Sequence, residues 1–298
     1  MVHDSIRRMQ GKERLFELFI WFLGAFVFLI VAYPLWFVVI ASISDPGAVS
    51  YGRVWVLPSG LNVDGYQAVF KDSRIWIGYR TTLITTSVGT LLSMFVTIPC
   101  AYALSRKDFK ARRPLMVFFV FTMYFSGGLI PTYITITQML GLDNQIWVMI
   151  IPFCMNVYNL IVCRSFFESA LPQELLESAR LDGCSNTRFF LSIALPLSKA
   201  ILSVIMLYYV VLRWNDYFTA LIYVRSEEIT PLQIVLRDIL LMNQAQQGSN
   251  SYASSESLRL SELIKYSSII VSTFPVLILY PFIQKYFEKG IMIGALKG

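Results

Sequence analysis

Long runs without charge alternate along this chain with short charged segments. Residues 18–43, 81–104, 114–142, 144–163 and 266–284 contain no Asp, Glu, Lys or Arg, and residues 200–223 are interrupted only by Arg213 and Asp216. A helix needs about 20 mostly apolar residues to cross a bilayer. The pattern therefore predicts an all-α, polytopic membrane protein, one domain over residues 1–298. Its six transmembrane helices are expected near 18–43, 81–104, 114–140, 144–166, 198–223 and 264–285. The first run is too long for a signal-peptide core and lacks a small-residue cleavage site, so it is expected to be retained.

Composition agrees with lipid surroundings. The chain is 56% hydrophobic and 15% charged, where a soluble domain carries about a quarter charged residues. Its basic residues cluster beside the apolar runs, which fits membrane orientation and not nucleic-acid binding, despite a net charge of +6. Arg7, Arg8, Lys12 and Arg14 precede the first span, 105-SRKDFKARRP-114 follows the second, and Lys285, Lys289 and Lys297 follow the last. Both termini are thus predicted in the cytoplasm, together with residues 105–113 and 164–199. Residues 44–80, the turn near 143 and residues 224–265 fall outside. The outer segment 44–80, rich in Gly, Pro and aromatics, reads as an ordered loop with short pieces of structure, and residues 243–257 as a mobile polar loop. Cys100, Cys154, Cys163 and Cys184 form no CxxC pair and His3 is the sole histidine, so packing roles are expected and no metal site.

The longest predicted cytoplasmic connection, residues 164–199, contains 174-ELLESARLDG-183. Pro172 suits a helix start and Gly183 its stop. Leu175, Leu176 and Ala179 share one face, with Glu174 and Glu177 elsewhere. Ser185 or Asn186 can cap a following helix through Phe189, Phe190, Ile193 and Leu195. Taken alone, this is a short amphipathic helix, packed on its own bundle or covered by a partner.

Glu177, Ala179, Asp182, Gly183, Ile193, Leu195 and Pro196 resemble the EAA loop of ABC importer permeases, with Ser178 where Ala is usual and Ala200 where a further Pro is common. The segments 101-AYALSR-106, 126-SGGLIPTYI-134, 214-WN-215 and 289-KGIMIGALKG-298 extend the similarity to the second permease of maltose-type carbohydrate importers, and SGGLIP with 231-PLQ-233 leans towards oligosaccharides, including acidic ones such as alginate. The resemblance implies a type I importer permease fold in the bacterial inner membrane and a chain without catalytic residues. It also implies a heterodimer with a second permease, two ATPase subunits that hold ATP and Mg²⁺, and an extracytoplasmic solute-binding protein. Glu177, Ser178, Ala179, Asp182 and Gly183 would couple to the ATPase, small Ser178 and Ala179 permitting close approach, and the helices would alternate between inward-open and outward-open states. The chain itself has no GxxxxGK[ST] loop to cradle ATP phosphates.

Polar residues inside apolar runs mark a candidate substrate path. These are Asn156, Tyr158 and Asn159 in span four, and Arg213, Trp214, Asn215 and Asp216 in span five, where Arg213 and Asp216 are expected on one helical face. Helix–helix hydrogen bonding or an ion pair would explain the same residues. Gly127, Gly128 and Pro131 should weaken span three and suit a gate or, equally, close packing. Other classes fit less well. A permease for amino acids or peptides shares the loop; an ion-coupled carrier needs more intramembrane acids than Asp216; a membrane enzyme needs a catalytic cluster that the spans lack.

Overall fold

The computed structural model of the chain describes residues 2–248, 263–278 and 281, and among these it shows helices and turns without a strand. The elements are α1 (Val2–Ser42), α2 (Pro46–Ser50), α3 (Asp64–Lys71), α4 (Ser73–Ser105), α5 (Arg112–Tyr124), α6 (Leu129–Ile134), α7 (Val157–Ala170), α8 (Gln173–Leu181), α9 (Asn186–Phe189), α10 (Leu195–Leu197), α11 (Lys199–Trp214), α12 (Phe218–Tyr223), α13 (Leu232–Gly248) and α14 (Leu263–Ile278). A π-turn, Thr135–Met139, extends α6, and another, Phe190–Ala194, joins α9 to α10. The chain divides into two compact units, Met1–Lys71 with Ile239–Val271, and Asp72–Asp238 with Ser272–Gly298.

In the first unit, α1 leaves its large apolar side chains exposed from Leu15 to Val31, as a helix facing lipid or a partner does. Its C-terminal end is anchored. Ser44 Oγ donates to the Ile40 carbonyl at 2.6 Å, the Ser42 and Tyr66 hydroxyls share a proton at 2.7 Å, and the Trp36 indole donates to the Val56 carbonyl at 2.8 Å. Asp45 caps α2 by accepting from the Ala48 amide at 3.1 Å. Glycine at 65 lets α3 lie directly on α14, since a Cβ there would sit 2.6 Å from Ser267 Oγ and 2.8 Å from the Leu263 carbonyl oxygen. The outer segment is shorter than the expected 44–80. Asp72 accepts from the Arg74 amide at 2.9 Å and so caps α4, which draws residues 73–80 into the helix.

The second unit is organised on α4, which packs against α7 and α11. The buried face of α4 is made of small and hydroxyl residues, among them Thr82, Thr86, Gly89, Ser93 and Thr97, spaced so that neighbouring helices approach closely. Towards its C-terminal end the core turns apolar. Ile98, Ala101 and Leu104 meet Leu160, Cys163 and Phe167 of α7, Leu176 of α8, and Ile205 and Tyr209 of α11.

Among the described residues, Glu13–Ser42 and α4 are long and apolar enough to cross a membrane. Two bent pairs raise the number to four if each is one span: α5 with Leu129–Met139, bent by 110°, and Asn186–Leu197 with α11, bent by 81°. Three expected spans are therefore not the continuous helices that apolarity suggested. Residues 114–140 break at 125–128, where Gly128 has φ 87° and ψ 172°, a conformation open in practice to glycine alone. Residues 144–166 become helical only at Val157. Before that lie a 3-10 turn, Ile146–Met149, and Pro152, which has no amide hydrogen and disfavours helical backbone at Ile151. Residues 198–223 stop at Trp214 and restart as α12, because Asp216 accepts from the Thr219 amide at 3.1 Å and caps a new helix. The expected mobile loop 243–257 begins as helix, residues 243–248 continuing α13. Its remainder lies outside the described residues, as do all of the last span beyond Ile278 except residue 281 and the tail 289–298.

Gly78 sets the contact between α4 and the start of α13. A Cβ at this position would fall 2.9 Å from Leu232 Cα, and the Leu232 amide donates to Thr82 Oγ1 at 2.9 Å. Gly78→Ala is therefore expected to destabilise the fold by about 1–3 kcal/mol, read as a lower midpoint in thermal unfolding of the detergent-solubilised chain. An unchanged midpoint would show that this contact yields freely.

Candidate functional site

The first site is built around α8. Pro172 forms its N-cap and Glu174 lies in its first turn. At the other end Gly183 has φ 74°. Its amide donates to the Arg180 carbonyl at 3.0 Å, and the Cys184 amide to the Ala179 carbonyl at 2.9 Å, the paired bonds of a Schellman C-cap. Ser185 then caps α9 by accepting from the Arg188 amide at 3.3 Å. Leu176 and Ala179 are buried in the apolar core beside Phe189. Glu177, Ser178, Asp182 and Gly183 are exposed, and Glu177 accepts from Gln173 Nε2 at 2.9 Å. Of the residues expected to couple to a partner, Ala179 thus faces its own bundle, where its small side chain lets α8 seat closely. Leu181, which sequence reading passed over, is 90% exposed. With Glu174, Glu177 and Ser178 it forms one outward stripe at helical spacing.

A second contact holds α8 in place. Arg180 Nη2 donates to Asp108 Oδ2 at 2.5 Å and to Asn186 Oδ1 at 3.2 Å. Asp108 is the lone acid of the basic loop 105-SRKDFKARRP-114, so the two expected cytoplasmic loops are joined by one ion pair. The signal was a carboxylate isolated among cations. The Arg180 hydrogen bond, with lesser attraction from Arg106, holds the Asp108 carboxyl below the usual carboxylate range, although partial burial opposes it.

The second site centres on Arg213, near the end of α11. Its side chain is buried, and its guanidinium donates to the Met149 carbonyl at 2.6 Å, Ser93 Oγ at 2.9 Å, the Ile150 carbonyl at 3.2 Å and the Phe153 carbonyl at 3.3 Å. These carbonyls belong to the non-helical stretch ahead of α7, which cannot satisfy them itself. The guanidinium lies flat on Gly89, where a Cβ would come within 2.6 Å of it. Neither Gly89 nor Ser93 was singled out from sequence, although both lie on the small-residue face of α4. The space bounded by Arg213, Asp216, Thr82 and Thr85 amounts to about 10 Å³, room for one water and not for a sugar.

The remaining candidates separate by position. Arg213 and Asp216 do not share a helical face, because α11 ends at Trp214 between them, and Asp216 is spent on capping α12. Trp214 is buried, and its indole donates to the Ser272 carbonyl at 3.1 Å. Asn215 is exposed and donates to the Val211 carbonyl at 2.9 Å. Asn156 caps α7, its Oδ1 accepting from the Asn159 amide at 3.1 Å, while its own amide donates to the Tyr209 hydroxyl at 3.1 Å. That hydroxyl shares a proton with Thr97 Oγ1 at 2.6 Å, so Asn156 belongs to a link between α4, α7 and α11. Asn159 is buried and Tyr158 is 54% exposed. At the break before α6, the Thr132 amide and hydroxyl both donate to the Gly128 carbonyl, at 3.3 and 2.8 Å. Gly127 has only ordinary contact with Pro131, at 3.8 Å.

The family profile described as binding-protein-dependent transport system inner membrane component matches residues 75–293. The polygalacturonan/rhamnogalacturonan transport system permease protein YtcP of Bacillus subtilis (strain 168) is 38% identical over 287 residues, covering 96% of this chain and 100% of its own. The protein LplC of the same organism is 36% identical, covering 93% and 92%. Among solved structures, a bacterial ABC transporter involved in the import of the acidic polysaccharide alginate contains a chain 31% identical to this one. It superposes with a TM-score of 0.81 over 93% of this chain and 98% of that one.

Two outcomes follow from this geometry. Arg213→Met leaves the Met149, Ile150 and Phe153 carbonyls unpaired and is expected to cost at least about 3 kcal/mol. Gly89→Ala displaces the same guanidinium, so the two losses in a double-mutant thermal-unfolding cycle should be well short of additive; additive losses would mean that the residues act separately. For the second pair, Asp108 has a depressed folded-state pKa, so its contribution is complete above about pH 4 and is lost as pH falls through that lower value. Asp108→Asn should therefore reduce the unfolding free energy by the same small amount, under about 1 kcal/mol, throughout pH 5–8. A difference that changed within this window would implicate another titrating group.

Proposed function

This chain belongs to the family of binding-protein-dependent transport system inner membrane components and is a permease of the carbohydrate ABC importers; from that premise we propose that it moves an acidic oligosaccharide into the cytoplasm by alternating access. Two similar transporters, named for polygalacturonan/rhamnogalacturonan and for alginate, support a uronide-containing substrate. The partners in this reading are a second permease, forming a heterodimer, two ATPase subunits carrying ATP and Mg²⁺, and an extracytoplasmic solute-binding protein. The chain spans the inner membrane six times with both termini in the cytoplasm and contributes no cofactor site of its own.

The observation that carries the reading is the two-faced seating of α8. Leu176 and Ala179 bind it into the core shared by α4, α7 and α11, while Glu174, Glu177, Ser178 and Leu181 stand outward. An ATPase that grips the outer stripe moves a helix packed against three others, so closure of the ATPase dimer is transmitted as a rigid displacement. Nucleotide then works by stabilising one global state over another. Asp182 and Gly183 shape the turn that ends the docking helix. The break at Gly127, Gly128 and Pro131 is the gate in this scheme. Tyr158 and Asn215 are the substrate-path residues with free surface, an aromatic face for a sugar ring and an amide for its hydroxyls. Arg213, Trp214, Asp216, Asn156 and Asn159 hold the wall behind them.

The test is reconstitution of the chain with its co-purifying subunits in vesicles, with the solute-binding protein supplied outside. Loaded with an oligogalacturonate or oligoalginate, that protein should stimulate ATP hydrolysis. Leu181→Asp should lower the stimulation at least about tenfold, the loss of one central apolar anchor, while leaving the unfolding midpoint of the isolated chain unchanged. Full stimulation in Leu181→Asp would remove α8 from the coupling path. Stimulation only by neutral sugars would remove the acidic substrate.

A further inference from the structure

A groove of about 1220 Å³ opens along one face of α5, bounded on its other sides by α7 and the start of α8. Its two ends differ in chemistry. At one end stand Lys107, Arg112 and Arg113, with Arg106 and Arg164 beside them. From there Val117, Val120, Phe121 and Tyr124 continue along α5 as an apolar stripe at spacings of three and four. From Val117 to Tyr124 the stripe is roughly 11 Å long. It is open: Val117 is 69% and Tyr124 75% exposed.

The charge at the basic end is not neutralised from within. Glu168 is paired with Arg164 at 2.5 Å, whose Nε also donates to the Leu104 carbonyl at 3.1 Å. Arg106 is 3.8 Å from Asp108 and lies over the Tyr102 ring. Lys107, Arg112 and Arg113 take part in no ion pair among the described residues, and the one other lining carboxylate is Glu174. A cluster of cations next to an open apolar strip matches an amphiphile with an anionic head. A free phosphate would leave the strip uncovered, and a sugar acid would set its hydroxyls against valine and phenylalanine.

We infer that this groove binds an anionic phospholipid of the cytoplasmic leaflet, its phosphate at Lys107, Arg112 and Arg113 and an acyl chain along Val117, Val120 and Phe121. The inference rests on the cytoplasmic placement of the 105–113 loop proposed above, where anionic headgroups meet basic pockets between helices. Lipid seated there would touch α5 on the face leading to the break at Gly128 and α8 at its start, so membrane charge would bear on both.

The experiment uses the full-length chain, purified in mild detergent with its co-purifying subunits, exchanged into equal phosphatidylglycerol and phosphatidylcholine, and read by intact-complex mass spectrometry. Phosphatidylglycerol should be retained preferentially. The double substitution Arg112→Gln, Arg113→Gln removes two cations from the headgroup and should lower that retention by roughly ten- to thirtyfold. Phe121→Asp should lower it through the acyl end. Arg188→Gln with Lys199→Gln, exposed cations away from the groove, should leave it unchanged. These are surface substitutions, and an unchanged unfolding midpoint checks each. Equal retention of both lipids, or retention indifferent to Arg112→Gln, Arg113→Gln, overturns the inference. So does displacement of phosphatidylglycerol by trigalacturonate at matched concentration, which would make the groove a passage for the sugar acid. Lipid retention is read without transport, so it stands apart from the proposed function. Placement is checked separately by labelling Arg113→Cys with a membrane-impermeant maleimide, expected above the unsubstituted background only in inside-out vesicles.

Discussion

The second unit depends on one buried arginine. The stretch from Ile146 to Asn156 holds one 3-10 turn and otherwise irregular backbone, inside a segment too apolar to be left in water. Its carbonyls therefore need donors from elsewhere. Arg213 supplies them, reaching three carbonyls and Ser93 from a single guanidinium. Few other side chains could, since the planar group offers five N–H donors and keeps its charge when desolvated. The close approach needs Gly89 beneath it. Arg213 of α11, with Gly89 and Ser93 of α4, thus holds the stretch that leads into α7.

From that fixed start, the structure runs as one packed body to α8. The Thr97, Tyr209 and Asn156 link ties α4, α11 and α7 at the level of the α7 cap. Below it the apolar core carries the same three helices down to Leu176 and Ala179. The Asp108–Arg180 pair joins α8 to the loop between α4 and α5. It is exposed and contributes little energy; burial of Leu176 and Ala179 decides which residues of α8 stand outward. Close-packed side chains make the path from α8 to α4, α7 and α11 stiff, which the proposed lever would require. The break at Gly128 lies outside this core, on α5 and α6, whose residues are largely exposed. The packed core and the exposed break thus lie on different helices.

Much of this was legible in order of sequence. Helical content, the apolar runs of α1 and α4, the two-faced α8 with its Pro and Gly ends, and the cap at Ser185 all follow from local rules that act over four or five residues. The EAA-like residues carried the family, which the comparisons establish. Less legible were the places where apolar runs do not remain helical. Apolarity measures the cost of leaving lipid and is silent about which backbone hydrogen bonds are made, so residues 125–128 and most of 144–156 read as α-helix when they are not. Polarity left a pathway and a packing role both open at Arg213, Asp216 and Asn156, because a charged or amide group inside a span must satisfy something; here each pairs with backbone.

The sequence by itself determined the membrane class, the family and the capped, two-faced helix α8, because hydropathy, caps and a local motif are properties of consecutive residues. Only the tertiary structure decided the partners of Arg213, the inward turn of Ala179, the exposure of Leu181 and the pairing of Asp108 with Arg180. Each of these joins residues far apart in the chain. Which distant carbonyl, glycine or carboxylate meets a given side chain depends on how helices pack, and packing is settled by the whole fold at once.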